Sequence, residues 1–126
     1  MRYYSQIGQD RLLDVAVFQE MKDGVFVEVG AHNGVSFSNS AFFERERNWS
    51  GICIEPNPEM FALLLGSRSA TCFNVAAGSG EGTLPFVQVT GYPSMLSSLK
   101  STTSESHHMR IRRDDLALTT NSRPFT

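Results

Sequence analysis

The residue types best suited to chemistry stand close together in two short stretches. VFVEVGAHNGVSFS, residues 25–38, holds one acid, Glu28, inside an apolar run and then a glycine at each end of GAHNG. A second apolar run, GICIE, ends on Glu55 and is followed at once by PNP. Runs of this kind suit buried strands of a parallel sheet, and ligands of doubly wound folds bind in the crevice beyond the carboxyl ends of such strands. Gly30 and Gly34 there allow a tight turn and leave room for a ligand against the peptide plane, with the helix that follows aimed at it. Glu55 comes about 20 residues after Gly34, the spacing at which a strand-end acid accepts hydrogen bonds from ribose hydroxyls. The glycine pattern is E-x-G-x-x-x-G, without the third close glycine of a dinucleotide site, so a smaller nucleoside cofactor that lacks phosphates fits better than NAD. A carboxylate at position 55 also repels the 2′-phosphate of NADP. Each feature has a plainer reading as well: turn glycines that only serve topology, a solvated acid at Glu55, and a Glu28 that satisfies backbone donors or organises the site.

The surrounding pattern predicts the elements that would hold these residues. SQIGQDRLLDVAVFQEMKDG reads as a leading segment and an amphipathic helix with Leu12, Leu13, Val15, Ala16, Val17 and Phe18 on its apolar face. Asp10 is its expected N-cap, and Asp23-Gly24 its stop. VFVEV is apolar on both faces apart from Glu28 and suits a central parallel strand. A helix over SFSNSAFFERERN ends near Asn48, GICIE is the second strand, PEMFALLLGSR the next helix with Pro58 at its first position, and ATCFNVA the third strand. The order αβαβαβ builds a parallel sheet with helices on its faces. After Ala77 the texture changes. GSGEGTLPFVQV is a glycine-rich turn into a strand that Pro85 confines to an edge or a bulge. Residues 91–108, rich in Ser and Thr, read as a loop or lid, HHMRIRR as a short exposed strand, and DDLALTTNSRPFT shows no strong periodicity.

YSQIGQD, FVEVGAHNGVSFSNS, FFE, NWSGICIEPNP and NVAAGSGEGTLPF also resemble the N-terminal half of the FkbM-type methyltransferases, which are S-adenosylmethionine-dependent O-methyltransferases. The resemblance runs from Tyr4 to Leu99, and GAHNG combined with W-x-G-x-x-I-E-P-N-P is its most specific part. It implies an α/β fold with an open, mostly parallel, Rossmann-like methyltransferase sheet. It implies that Glu28, Gly30, Ala31, Asn33 and Gly34 form the methionine-side loop, with His32 in the same loop, and that Glu55 holds the ribose. Pro56 and Asn57 would then border the adenosine, and Asn74, Val75 and Ala76 lie by the adenine. The implied reaction moves the sulfonium methyl group to a hydroxyl of a small-molecule or sugar acceptor. Family members continue into an acidic motif resembling D-V-E-G, which does not occur after Leu99. The chain therefore reads as a C-terminally truncated member, its sheet incomplete on that side and one apolar edge open to self-association. A non-catalytic Rossmann-like domain and an NAD-binding oxidoreductase fragment are the alternatives.

No base is assigned by this reading. His32, His107 and His108 are candidates for one, each equally readable as a surface or structural histidine. Arg110, Arg112 and Arg113 fit either an acidic acceptor or a solvated basic face, and Asp114-Asp115 a loop or helix start. Gln6, Gln9 and Asp10 could fold over the cofactor. Cys53 and Cys72 lack ligand spacing and read as buried free thiols, and no metal site is expected. With 126 residues the chain holds one domain, and a net charge of -2 gives no electrostatic reason to bind nucleic acid. Its apolar runs are far short of the roughly 20 residues that span a bilayer, and no apolar signal segment follows the N-terminus, so a soluble, cytoplasmic chain is expected.

Overall fold

The computed structural model describes residues 1–89, 98–99 and 118–125. The chain divides into two compact units, Met1–Asn74 and Val75–Thr126. In the first, β1 (Val25–Val29), β2 (Ser50–Ile54) and β3 (Thr71–Phe73) form an open parallel sheet, and α2 (Ala41–Glu46) and α3 (Pro58–Ser67) carry the chain between successive strands. This is the α/β, Rossmann-like architecture that the alternating pattern requires. The strand order is β1-β2-β3, so GICI is central and VFVEV, expected at the centre, lies at an edge.

The register explains why VFVEV looks apolar on both sides. Phe26, Glu28, Cys53 and Cys72 share one face, and Val25, Val27, Val29, Ile52, Ile54 and Phe73 the other. The first face is covered by Phe42 and Phe43 of α2, Leu64 of α3 and Trp49, which pack with Phe26 and Cys53 into the core. Phe43 stands between Phe42 and Trp49, with ring centroids 5.4 and 4.8 Å away. Burying each such side chain is worth about 1.5–3 kcal/mol. The second face is left bare among the described residues: Val25, Val27 and Val29 are 74%, 65% and 61% exposed. Helices on both faces were expected; cover is seen on one.

The N-terminal helix departs further from its sequence pattern. Only Gln9–Leu12 is α-helical (α1), and Leu13–Val17 continues as a π-helical turn. Leu12, Val15 and Val17, on the expected core face, are exposed, while Asp10 and Asp14 are buried. Buried carboxylates persist where they are paired and hydrogen-bonded, and here most of their partners lie outside the helix. Asp10 is not the N-cap, a place taken by Gly8 at φ 87°. Instead Asp10 gathers the preceding segment, accepting the Tyr4 N–H at 2.6 Å, the Ser5 N–H at 3.1 Å and the Ser5 hydroxyl at 2.6 Å. Asp14 accepts two hydrogen bonds from Arg47, at 2.8 and 2.9 Å, and one from the Tyr3 hydroxyl.

These partners set a pH dependence. Burial raises the Asp10 pKa, but the Ser5 hydroxyl and the N–H groups of Tyr4, Ser5 and Arg11 outweigh it and hold the group below the ordinary 3.8. The Arg47 guanidinium, against burial, likewise lowers Asp14 from 3.8. A carboxyl depressed in the folded state adds stability that is present above its unfolded value and lost as pH falls toward the folded one. Urea midpoints should therefore drop between about pH 5 and pH 2, and Asp14→Asn should flatten part of that drop. An unchanged slope in the variant would show that Asp14 contributes nothing to it.

The remaining elements follow local rules. Asn57 caps α3 by accepting the Glu59 and Met60 N–H groups, with Pro58 at the first position. The expected start of α2 directly after GAHNG is displaced: residues 35–40 intervene, and Ser38 Oγ accepts the Ala41 N–H at 3.0 Å. Both cysteines are free, and burial pushes the Cys53 thiol up to about 12. In the second unit β4 (Gly82–Val89) runs antiparallel between β5 (Ser98–Leu99) and β6 (Leu118–Phe125). Pro85 thus sits in a middle strand, but pairing with β5 begins only at Phe86, so the proline meets β6 alone, opposite Ser122. β6 arises from the tail in which no periodicity was seen; β4 supplies its pairing. Apart from Ser98–Leu99, the candidate lid 91–108 lies outside the described residues, as do HHMRIRR and Asp114-Asp115.

Candidate functional site

The turn after β2 joins the ends of all three parallel strands. Ile54 O accepts the N–H groups of Gly30 and Ala31 at 2.8 and 3.0 Å, which docks the start of GAHNG on β2. Glu55 then bridges two loops, its Oε1 accepting the His32 N–H at 2.7 Å and its Oε2 the Asn57 N–H at 2.8 Å. From β3, Asn74 Nδ2 donates to the carbonyls of Glu55 and Pro56 at 2.8 and 3.1 Å. Two residue types named from sequence, the strand-end acid and the glycine loop, are therefore brought together by direct hydrogen bonding.

Burial tunes this junction. Glu55 is 6% exposed, and loss of solvent raises its pKa against the opposing pull of the Asn57 and His32 N–H groups. Each of its oxygens keeps acceptor capacity beyond the one N–H it holds. Asn57 is 1% exposed; its Oδ1 is used in the helix cap, and its Nδ2 is buried without a hydrogen-bond partner among the described residues. A buried donor left in this state is costly, which marks it for a ligand or water. Burial also lowers the His32 pKa from the ordinary histidine value, against an Asn33 hydrogen bond that raises it, which favours the neutral imidazole.

The two glycines turn out to do different work. Gly30, at φ 77°, faces open space, with nothing within 4 Å of an added Cβ. At Gly34, φ 86°, an added Cβ would stand 2.5 Å from Ser67 Oγ, 2.7 Å from Arg68 Cγ and 2.8 Å from Leu64 Cδ1. Space at Gly30 is available to a ligand, while space at Gly34 is filled by the end of α3. Asn33 is also turned inward on its own loop: Oδ1 accepts the Val35 and Ser36 N–H groups and Nδ2 donates to Ser36. Pro56 lies in the β2 turn, half-buried. Val75 and the buried Ala76 open the second unit.

Glu28 is drawn into a cluster that sequence reading did not foresee. Its carboxylate accepts the hydroxyls of Ser38, at 2.9 Å, and Ser40, and Arg68 Nη1 reaches it at 3.3 Å. Arg68 also pairs with Glu44 at 2.7 Å. The only hint in the sequence was an arginine just past an otherwise apolar helix. A groove of about 440 Å³ runs along the outer edge of β1, bounded by Glu28, Gly30, Phe37, Phe43 and Trp49. Among the described residues no group of three His, Cys, Asp or Glu could hold a metal, and no helix is long and apolar enough to cross a membrane. His107, His108, Arg110, Arg112 and Arg113 lie outside the described residues.

A family model described as the methyltransferase FkbM domain matches residues 28–121, about three quarters of the chain. The match begins at Glu28 and takes in GAHNG, Glu55, Asn57 and Asn74. No curated protein and no solved structure matches the chain.

Proposed function

Because the chain belongs to the FkbM methyltransferase family, we propose that it binds S-adenosylmethionine at the ends of β1 and β2 and methylates a hydroxyl oxygen of a small-molecule or sugar acceptor. The observation that carries this reading is the 2.7 Å hydrogen bond from the His32 N–H to Glu55, which sets the strand-end acid beside the glycine loop. The residues present fit the cofactor. Glu55 has spare acceptor capacity for ribose hydroxyls, Asn57 offers an unpartnered buried donor beside it, and Gly30 leaves its backbone open to close approach.

The bound cofactor supplies an electrophilic methyl group on a sulfonium centre. The chain's own residues bind and orient. Glu55 fixes the nucleoside end, and the loop from Gly30 to Gly34 presents the methionine end to the crevice. Positioning of this kind can account for a large share of a methyl-transfer barrier. Burial favours the neutral form of His32, whose backbone N–H is the group that holds Glu55.

A thermal-shift and calorimetric titration with S-adenosylhomocysteine, with NAD as the control, tests the reading. A ligand that binds only the folded state adds RT ln(1 + [L]/Kd), roughly 2.7 kcal/mol at about 100 times Kd. The expected result is stabilisation by S-adenosylhomocysteine and none by NAD. Stabilisation by NAD alone would favour an oxidoreductase, and stabilisation by neither would remove the cofactor assignment.

A further inference from the structure

Arg68 is the most heavily engaged side chain in the described part of the molecule, and its side chain is 0% exposed. Its Nε donates to Glu44 at 2.7 Å. Nη1 donates to the Gly34 carbonyl at 3.1 Å, to Ser38 Oγ at 3.3 Å and to Glu28 at 3.3 Å, and Nη2 to Ser40 Oγ at 2.9 Å. The guanidinium plane lies over the Phe26 ring, 5.1 Å from its centroid. All three nitrogens of the fork thus donate, and the partners fall into two groups. Glu44 ties it to α2. Gly34, Ser38 and Ser40, with Glu28 behind them, are the far end of the glycine loop and the segment that leads from it into α2.

That loop needs an external grip. Gly30, His32 and Gly34 all have positive φ, 77°, 54° and 86°, and for histidine such a conformation is uncommon. At its near end the loop is docked on β2 through Ile54 and Glu55. At its far end the Gly34 carbonyl is turned to Arg68, and Ser67 Oγ donates to the Asn33 carbonyl at 2.7 Å. A lysine at 68 would keep the charge but has a single compact ammonium, which cannot reach a carbonyl, two hydroxyls and two carboxylates spread around a planar fork.

We propose that Arg68 is the positioning residue of the cofactor loop. Through the Gly34 carbonyl, Ser38, Ser40 and Glu28, it sets the place of a segment that touches the methionine end of the cofactor, which Arg68 itself does not touch. The proposal rests on the reading above for the identity of the ligand, but the grip on the loop is a property of the free chain.

The test compares Arg68→Lys with the parent and with Glu44→Gln, which perturbs the same cluster on its α2 side. In the free chains, amide hydrogen exchange is followed in residues 30–38 and in β2. Calorimetry then gives Kd for S-adenosylhomocysteine and for adenosine, which has the nucleoside but not the methionine part. In Arg68→Lys the loop amides should exchange about tenfold faster with β2 unchanged. The Kd for S-adenosylhomocysteine should rise about tenfold or more while that for adenosine stays within about twofold, because a small displacement of a binding segment is enough to cost this much. Glu44→Gln should leave the ratio of the two affinities at the parent value. Loop exchange like the parent's in folded Arg68→Lys, or equal losses for both ligands, overturns the proposal. If the parent binds neither ligand, the cofactor reading fails and loop exchange alone decides the role of Arg68. Should Arg68→Lys not fold, the double variant Ser38→Ala/Ser40→Ala, which removes hydroxyl partners without stranding a charge, is held to the same expectations.

Discussion

Gly34→Val is expected to cost the folded chain about 3–5 kcal/mol, whereas Gly30→Ala costs about 1 kcal/mol. Both residues sit at positive φ, 86° and 77°, so both substitutions carry the penalty of a left-handed conformation, about 1–2 kcal/mol for an ordinary side chain. Only at Gly34 is there a second cost. The new Cβ would lie 2.5 Å from Ser67 Oγ and 2.8 Å from Leu64 Cδ1, closer than real Cβ atoms come to their neighbours. Leu64 is 0% exposed and belongs to the core, so it cannot step aside, and overpacking of this kind costs typically about 1–3 kcal/mol. The β-branched valine stands at the upper end of both ranges. Against a stability of about 5–15 kcal/mol for a typical domain, the change is a large fraction of the whole. Urea denaturation of the two variants checks it, and equal midpoints would mean that the fit of Gly34 against α3 is not what the position requires. The same geometry warns against using Gly34 as a probe of ligand contact: a loss of cofactor binding in Gly34→Val would follow from the damaged loop and helix.

The difference between the two glycines shows where sequence reading stops. Tight turns at positions 30 and 34 were legible, because only glycine adopts such φ values without strain. What each turn faces was not, since Ser67 and Arg68 reach Gly34 from more than thirty residues away. The parallel strands and Pro58 as first helical residue were legible from local rules of the same kind, whereas Asn57, read only as a border of the adenosine, turns out to cap α3. The N-terminal helix misled because its apolar residues were assumed to mark the buried side. Asp10 and Asp14 are buried instead, each stabilised by groups that periodicity cannot register: amides of residues 4 and 5, and the guanidinium of Arg47. In the site, the proximity of Glu55 to GAHNG was legible from spacing. The inward turning of Asn33 and Asn74, and the whole Arg68 cluster, depend on side-chain directions that no spacing rule encodes.

Glu55→Gln is expected to raise the Kd for both S-adenosylhomocysteine and adenosine about 100-fold at neutral pH, given that hydrogen bonds to a charged group are worth about 1.5–3 kcal/mol and each 1.4 kcal/mol is tenfold. The carboxylate accepts one N–H on each oxygen and has capacity left for ribose hydroxyls. A glutamine in its place accepts on one atom only, and its amide group would face either the His32 or the Asn57 N–H, donor against donor. Both ligands carry ribose, so both should weaken together, unlike the split expected for Arg68→Lys. The pH dependence separates charge from shape. Burial raises the Glu55 pKa above the ordinary 4.5, so between 4.5 and the folded value the folded state binds more protons than the unfolded one. Its contribution to stability therefore falls as pH rises through that window, opposite in sign to those of Asp10 and Asp14. Ligand affinity runs the other way, because the ionised form is the stronger acceptor. Parent affinity should weaken as pH falls into the window, and Glu55→Gln should show a flat profile at its lower level. A variant that binds both ligands as the parent does at neutral pH would take Glu55 out of the ribose site and leave it as the clasp between His32 and Asn57. A variant that loses affinity yet keeps the parent's pH profile would show that another group titrates in binding.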